Sequence, residues 1–318
     1  MNPHDTDTYF EPNEKSTRGF NQIHINAMFS ILDRRFTNIL VQPARKRNEY
    51  SAFCSMVDSA DISAYSKIIF FGDRGYASYN NFAHVIEKNQ YFLIRCNDKR
   101  ASGMLGYPVD MLPGFDENVH LILTRSKAAK KYSRPEMFSS YRYIFQNSPM
   151  DFLNADRTEY DISFRLVRIP LGNGEFENIA TNLPQREFKA DDFKMLYHLR
   201  WSEENSFRDL KYALCLKAFH SKKYEYIVQE VWARAILYNF CAAITTNITI
   251  DRTDCAYEYQ VNYSAAIKNC RDFLRIHDEK TRISVEGLIV KNLEPIRPGR
   301  TFARQHSFKK PMSFCYRN

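Results

Sequence analysis

Between residues 22 and 32 the chain alternates: Ile23, Ile25, Ala27, Phe29 and Ile31 fall on one face, and His24, Asn26, Met28 and Ser30 on the other. A period of two predicts a half-buried strand and excludes a helix there. His24 then reads as a polar residue of the outer face rather than a ligand. Asp33-Arg34-Arg35 gives a tight return into a second strand over 36–41, residues 48–57 read as a helix, and Ile68-Ile69-Phe70-Phe71 is a third apolar run. Strand, hairpin, strand, helix, strand predicts an α/β fold.

The third run ends in Gly72-Asp73-Arg74-Gly75-Tyr76. A carboxylate at the carboxyl end of a strand stands where open α/β sheets place their chemistry, so Asp73 is the first candidate site residue. The alternative is that Asp73 only caps the helix expected over 79–88. From about 91 to 183 the pattern becomes strand-like, with runs at 91–95, 120–124, 161–169 and 176–181 and no amphipathic helix, which predicts a β-rich insertion. Its basic stretch, Arg125, Lys127, Lys130, Lys131 and Arg134, is either a solvated loop or a track for a phosphate backbone.

From Asp191 the helical period returns. A helix carrying Leu196, Leu199, Phe207, Leu210 and Leu214 on one face is predicted, followed by a core helix over 224–240 with Ile227, Val228, Val231, Trp232 and Ala235 inward. On a continuous first helix Tyr197, Arg200, Glu204 and Lys211 fall at about 0°, −60°, −20° and −40°, one stripe beside the apolar face. A phenol, a guanidinium, a carboxylate and an ammonium so stacked are either a surface ladder of ion pairs or a site.

Composition narrows the classes. The 318 residues, 44% of them apolar, make about two domains' worth of chain, or one core carrying a large insertion, with enough side chains for a real interior. A net charge of +8 with 14% aromatic residues leans towards a polyanion, nucleic acid first. Residues 291–318 carry seven basic side chains against Glu294, interleaved with Phe302, Phe308 and Phe314, which suits phosphate tracking or a merely solvated terminus. No apolar run approaches the roughly 18 residues of a membrane span, and no apolar leader opens the sequence, so a cytoplasmic protein is expected. The seven cysteines stand singly, without a Cys-x-x-Cys pair, and read as free thiols. No glycine lies in a phosphate-cradling Gly-x-x-x-x-Gly-Lys loop or a dinucleotide-binding turn.

Tyr-x2-Arg-x3-Glu-x6-Lys, here Tyr197, Arg200, Glu204 and Lys211, resembles the YREK signature of the insertion-sequence-four family of DDE transposases. The Gly-Asp-Arg-Gly-Tyr segment around Asp73 is similar to that family's second acidic motif. The run from Tyr224 to Asn239 and the Pro-Ile-Arg-Pro-Gly-Arg of residues 295–300 also resemble family members. The resemblance implies an α/β fold with a ribonuclease-H-like core and a β-rich insertion before the last catalytic helix. Residues 1–90 and 188–250 would form the core, 91–187 the insertion and 251–318 a basic carboxyl-terminal region.

By the same resemblance the chain is a cut-and-paste DNA transposase. Carboxylates hold two divalent metals, Mg2+ or Mn2+, that activate the attacking oxygen and stabilise the leaving one. Asp73 and Glu204 are the implied catalytic and metal-binding residues. Tyr197, Arg200 and Lys211 are the implied contacts to DNA, with Arg208, at about 20° on the same wheel, as a further one. The implied partners are double-stranded DNA, as transposon ends and as target, and a second copy of the chain in a synaptic complex, in a nucleoid-associated setting. Two departures stand out. Glu203 occupies a position that is usually apolar in the family. The Asp-Gly-Ser or Asp-Gly-Thr motif bearing the first carboxylate is also missing, since Asp5, Asp7, Asp33, Asp58 and Asp61 do not end an apolar strand. The chain is therefore expected to begin after the first strand, as in a truncated copy or a reading frame started at an internal Met1, and to cleave DNA little or not at all, or else only to bind DNA or to inhibit a full-length enzyme.

Overall fold

The computed structural model describes residues 2–14, 17–128, 140–172, 174–214, 216, 218–250, 257–275 and 284–296. The strands are β1 (Tyr9–Phe10), β2 (Phe20–Asn21), β3 (Ile23–Ser30), β4 (Arg35–Pro43), β5 (Ile69–Gly72), β6 (Tyr91–Cys96), β7 (Phe115–Thr124), β8 (Tyr141–Tyr143), β9 (Glu159–Gly172), β10 (Glu175–Thr181), β11 (Tyr259–Val261) and β12 (Leu293–Pro295). The helices are α1 (Glu49–Ser59), α2 (Tyr79–Glu87), α3 (Asp98–Leu105), α4 (Asp192–His198), α5 (Trp201–Tyr212), α6 (Tyr224–Thr245), α7 (Tyr263–Arg275) and α8 (Val285–Val290). The class is mixed α/β. The chain divides into two compact units, one of Lys46–Arg200 and one of Met1–Arg45 with Trp201–Asn318.

In the discontinuous unit the expected hairpin forms. β3 and β4 pair antiparallel with Ile25 opposite Val41 and Ala27 opposite Ile39. The return is made by Arg34 at φ 54°, a left-handed conformation that a short turn demands. Ile23, Ile25, Ala27 and Phe29 then pack on a cluster that includes Phe36, Ile39, Val231, Ala235 and Tyr238. On α6 the buried stripe is Val231, Ala235, Tyr238 and Ala242, at steps of 4, 3 and 4. Trp232, expected inward, is instead 40% exposed, because it lies one residue and so about 100° away from that stripe.

The continuous unit is built on a six-stranded sheet in the order β5-β6-β10-β9-β7-β8. β5 runs parallel to β6 and β7 parallel to β8, with antiparallel pairing between the others. The strands expected as an insertion thus continue the sheet that β5 begins, with β5 at its edge rather than fully buried. Phe82 of α2 stacks on Phe92 of β6 at 4.5 Å between ring centroids, fastening helix to sheet. Asn48 caps α1, its side chain accepting from the Ser51 amide, and Ser78 caps α2 by accepting from Asn81. Ser78, and not Asp73, is the cap of the helix over 79–87.

Two expectations about helices fail. Residues 98–105 form α3 where no helix was expected. Its buried side chains are only Ala101 and Met104, too few for a periodic signal, and its ends are set by caps: Asn97 accepts from Arg100, and Gly106 closes it at φ 88°. The single helix expected from Asp191 to Leu214 is two, α4 and α5. The turn between them is tightened by hydrogen bonds from the Leu199 amide to the Leu196 carbonyl and from Arg200 to Tyr197. The cause lies in packing: Phe193, Leu196 and Tyr197 belong to a core with Leu93, Val167 and Ile179, whereas Phe207, Leu210 and Leu214 belong to the core of α6. Leu199 serves neither and is 43% exposed.

Of the basic stretch after β7, Arg125 donates to the carbonyls of Phe145, Gln146 and Ser148 and so staples a loop, while Lys130, Lys131 and Arg134 lie outside the described residues. The basic side chains from Arg297 to Arg317 lie outside them too. Among the described residues no helix is long and apolar enough to cross a membrane.

Candidate active site

Asp73 leaves the carboxyl end of β5, as its sequence position implied. Gly72 lets the strand end approach β6: a Cβ there would meet Ile94 Cγ1 at 3.0 Å and Tyr76 Cβ at 3.3 Å. The chain then turns through a short 3-10 segment, Arg74–Tyr76, with the Asp73 carboxylate accepting from the Arg74 amide at 2.7 Å. The Asp73 side chain is exposed, and among the described residues no lysine or arginine pairs with it. An unpaired exposed carboxylate at a strand end is a hard oxygen donor of the kind a divalent cation such as Mg2+ takes.

Tyr197 comes to this carboxylate from α4. Its hydroxyl stands 3.4 Å from Asp73 Oδ1, a long contact across 124 positions of sequence. Tyr197 is 5% exposed, and burial pushes its phenol up to about 12, against the opposing pull of Arg200 and with a smaller push from Asp73. It is therefore a neutral donor at physiological pH. The guanidinium of Arg200 lies 5.1 Å from the Tyr197 ring centroid and that of Arg95 lies 5.7 Å away. Arg95 projects from β6 and is fixed by an ion pair with Glu177 of β10, two strands that pair antiparallel.

Asp73, Arg95, Glu177, Tyr197 and Arg200 thus form one polar cluster at the end of β5. It can present a carboxylate to a cation and a guanidinium to an anionic oxygen. Sequence reasoning finds three of the five and misses Arg95 and Glu177. Arg95 sits in a run that reads only as a strand, and Glu177 is one of several strand glutamates with no motif around it.

The remaining expected residues lie on α5. Arg208 and Lys211 are exposed there, Lys211 with its ammonium 5.8 Å from the Phe207 ring. The side chains of Glu203 and Glu204 lie outside the described residues. Tyr197 lies on α4, Arg200 in the turn after it, and Glu204 and Lys211 on α5, so the four residues expected on one helix are carried by two helices and the turn between them.

A family model described as a transposase DDE domain matches residues 3–240, a span that contains Asp73, Tyr197, Arg200, Glu204, Arg208 and Lys211. No curated protein matches the chain.

Proposed function

The chain belongs to the transposase DDE-domain family, and from that premise we propose that it acts on DNA at transposon ends with Asp73 and Glu204 as metal-binding carboxylates. The family acts in DNA transposition and in general uses divalent metal, so DNA is its partner by membership. The finer reading is an insertion-sequence-four enzyme of the cut-and-paste kind, with a ribonuclease-H-like core over 1–90 and 188–250 and an insertion over 91–187. Mg2+ or Mn2+ held by Asp73 and Glu204 would supply Lewis-acid stabilisation of charge at the phosphodiester. Tyr197 would direct its one hydroxyl proton either at Asp73, to orient it, or at a phosphate oxygen, Arg200 would grip phosphate through its planar fork, and Arg208 and Lys211 would contact the backbone as exposed cations. Two ends must be held together, so a dimer is the expected assembly.

The observation that supports this reading most is the meeting of Tyr197 with Asp73, because two motif residues far apart in sequence share one site. A second reading, a chain that binds DNA without cutting it, is favoured by a different observation. The five aspartates ahead of Asp73 are engaged elsewhere or lie in or beside turns: Asp33 accepts from Ser30, Asp58 pairs with His84, Asp61 accepts from Ser63, and Asp5 and Asp7 lie in or beside the turns before β1. None of these five aspartates ends an apolar strand, and impaired cleavage by the isolated polypeptide is what this second reading expects.

One experiment separates the two. The purified chain is incubated with DNA bearing the ends of its own element in Mg2+ or Mn2+, and binding and nicking are read together. Nicking lost in Glu204→Gln with binding retained supports the enzyme; binding without nicking in the unaltered chain supports the second reading. No binding refutes both. Arg200→Ala should weaken binding and flatten the slope of log K against log salt by about 0.9, one phosphate's worth.

A further inference from the structure

A second cluster of metal-ligating side-chain types lies elsewhere within residues 46–200. Cys54 Sγ on α1, a ring nitrogen of His84 on α2 and a carboxylate oxygen of Asp151, in the loop after β8, all lie within 4.8 Å of one another. Cys54 and His84 are buried, whereas Asp151 reaches solvent. We propose that these three side chains bind a zinc ion.

The surroundings suit that ligand set. His84 Nδ1 lies 2.8 Å from Asp58 Oδ1, so a carboxylate outside the cluster fixes the ring and leaves Nε2 facing Asp151 Oδ2 at 3.0 Å. Tetrahedral zinc with bonds of about 2.0–2.1 Å needs that nitrogen and oxygen about 3.3 Å apart, an opening of a few tenths of an ångström. Asn80 holds the other two ligands: its amide donates to Asp151 Oδ2 at 3.0 Å and to Cys54 Sγ at 3.6 Å, and its carbonyl accepts from the Asp151 amide. The thiol donates to Asn81 Oδ1 at 3.3 Å. On binding, the thiol proton and any proton on Nε2 leave to solvent, and sulfur and nitrogen each donate a lone pair. A soft thiolate selects zinc over magnesium, and water from the exposed Asp151 side would complete four-coordination.

The consequence reaches the turn beside Asp73. Asn81 donates to the Tyr76 carbonyl at 2.9 Å, and the Phe53 ring packs on Tyr76 at 5.4 Å between centroids. Two neighbours of Cys54, its acceptor Asn81 and the preceding Phe53, therefore hold the Arg74–Tyr76 turn that follows Asp73, and the metal would stiffen it.

The test uses the full chain without DNA. Co2+ added to the chelator-stripped protein should give a thiolate-to-cobalt charge-transfer band and tetrahedral d–d absorption, both displaced by Zn2+ and not by excess Mg2+. Zinc should be retained through gel filtration at about one equivalent per chain and should raise the melting temperature. Cys54→Ser and Asp151→Asn should each lose that equivalent, whereas Asp73→Asn should keep it. Absence of the thiolate band in the unaltered protein, or zinc retained equally by Cys54→Ser, overturns the proposal and leaves His84 as an ionic bridge between Asp58 and Asp151.

Discussion

Burial rather than charge sets the chemistry of Tyr197, whose phenol is driven towards the neutral form by loss of water. Its hydrogen bond to Asp73 is long, so Tyr197→Phe should cost less than about 1 kcal/mol in urea unfolding. A larger loss would mean that the hydroxyl has a structural duty beyond Asp73. Arg165 is the opposite case. It is buried, forks onto both oxygens of Asp116 at 3.1 and 2.6 Å, and donates to the carbonyls of Leu183 and Phe188. Arg165→Ala strands a carboxylate and two carbonyls, and should destabilise by about 3 kcal/mol or more. Asp98 supplies a pH signature. Hydrogen bonds from Arg168 and Asn178 hold its carboxyl below the ordinary range. A carboxyl lowered on folding adds stability that is present above its unfolded value and vanishes as pH falls through the folded one. The acid side of the stability profile should therefore flatten in Asp98→Asn, by a modest amount because the side chain is half exposed. Asp73 and Tyr197 were legible in sequence because local patterns mark them. Arg95, Glu177, Cys54, His84 and Asp151 were not, since each acquires its meaning only from a partner on a distant strand, helix or loop.

At the scale of elements, legibility follows how much apolar surface each one buries. β3, β4, β5, β9 and β10 announce themselves because their side chains alternate or run together against a core. α3 does not, since two inward residues over two turns make no period, and its evidence is the pair Asn97 and Gly106 at its ends. Gly106 sits at φ 88°, and a Cβ there would come within 3.0 Å of Arg142 Nη2. Gly106→Ala should cost about 1–2 kcal/mol through the left-handed conformation. If the variant unfolds at the same urea concentration as the parent, α3 ends by some other means than this cap. The division of α4 from α5 was hidden for a related reason. Leu196, Leu210 and Leu214 satisfy one helical wheel on paper, and only the identity of their neighbours reveals that they serve two cores.

For the whole molecule, the important contrast is between a unit made from one stretch of chain and a unit made from two. All six strands of the main sheet, and the cluster of Leu93, Val167, Ile169, Ile179, Leu183, Phe193 and Tyr197, lie within residues 46–200. Among the described residues that core is drawn from 46–200 alone, so residues 46–200 expressed alone should fold. One cooperative urea transition is expected, with a slope in the range of about 1–3 kcal/mol per molar that small domains show. The other unit cannot be cut out so simply. Its core joins Phe36 and Ile39 of β4 to Leu210, Val231, Ala235 and Tyr238, and Asn239 on α6 accepts from the Phe36 amide and donates to its carbonyl, both at 2.8 Å. Removing residues 1–45 would uncover the buried stripe of α6 and strand the side-chain amide of Asn239, so the remaining chain should aggregate or bind a hydrophobic dye while the 46–200 transition survives within it. If the 46–200 fragment instead shows a broad, non-cooperative transition, its sheet must depend on residues outside it, and the division into two independently packed cores is wrong.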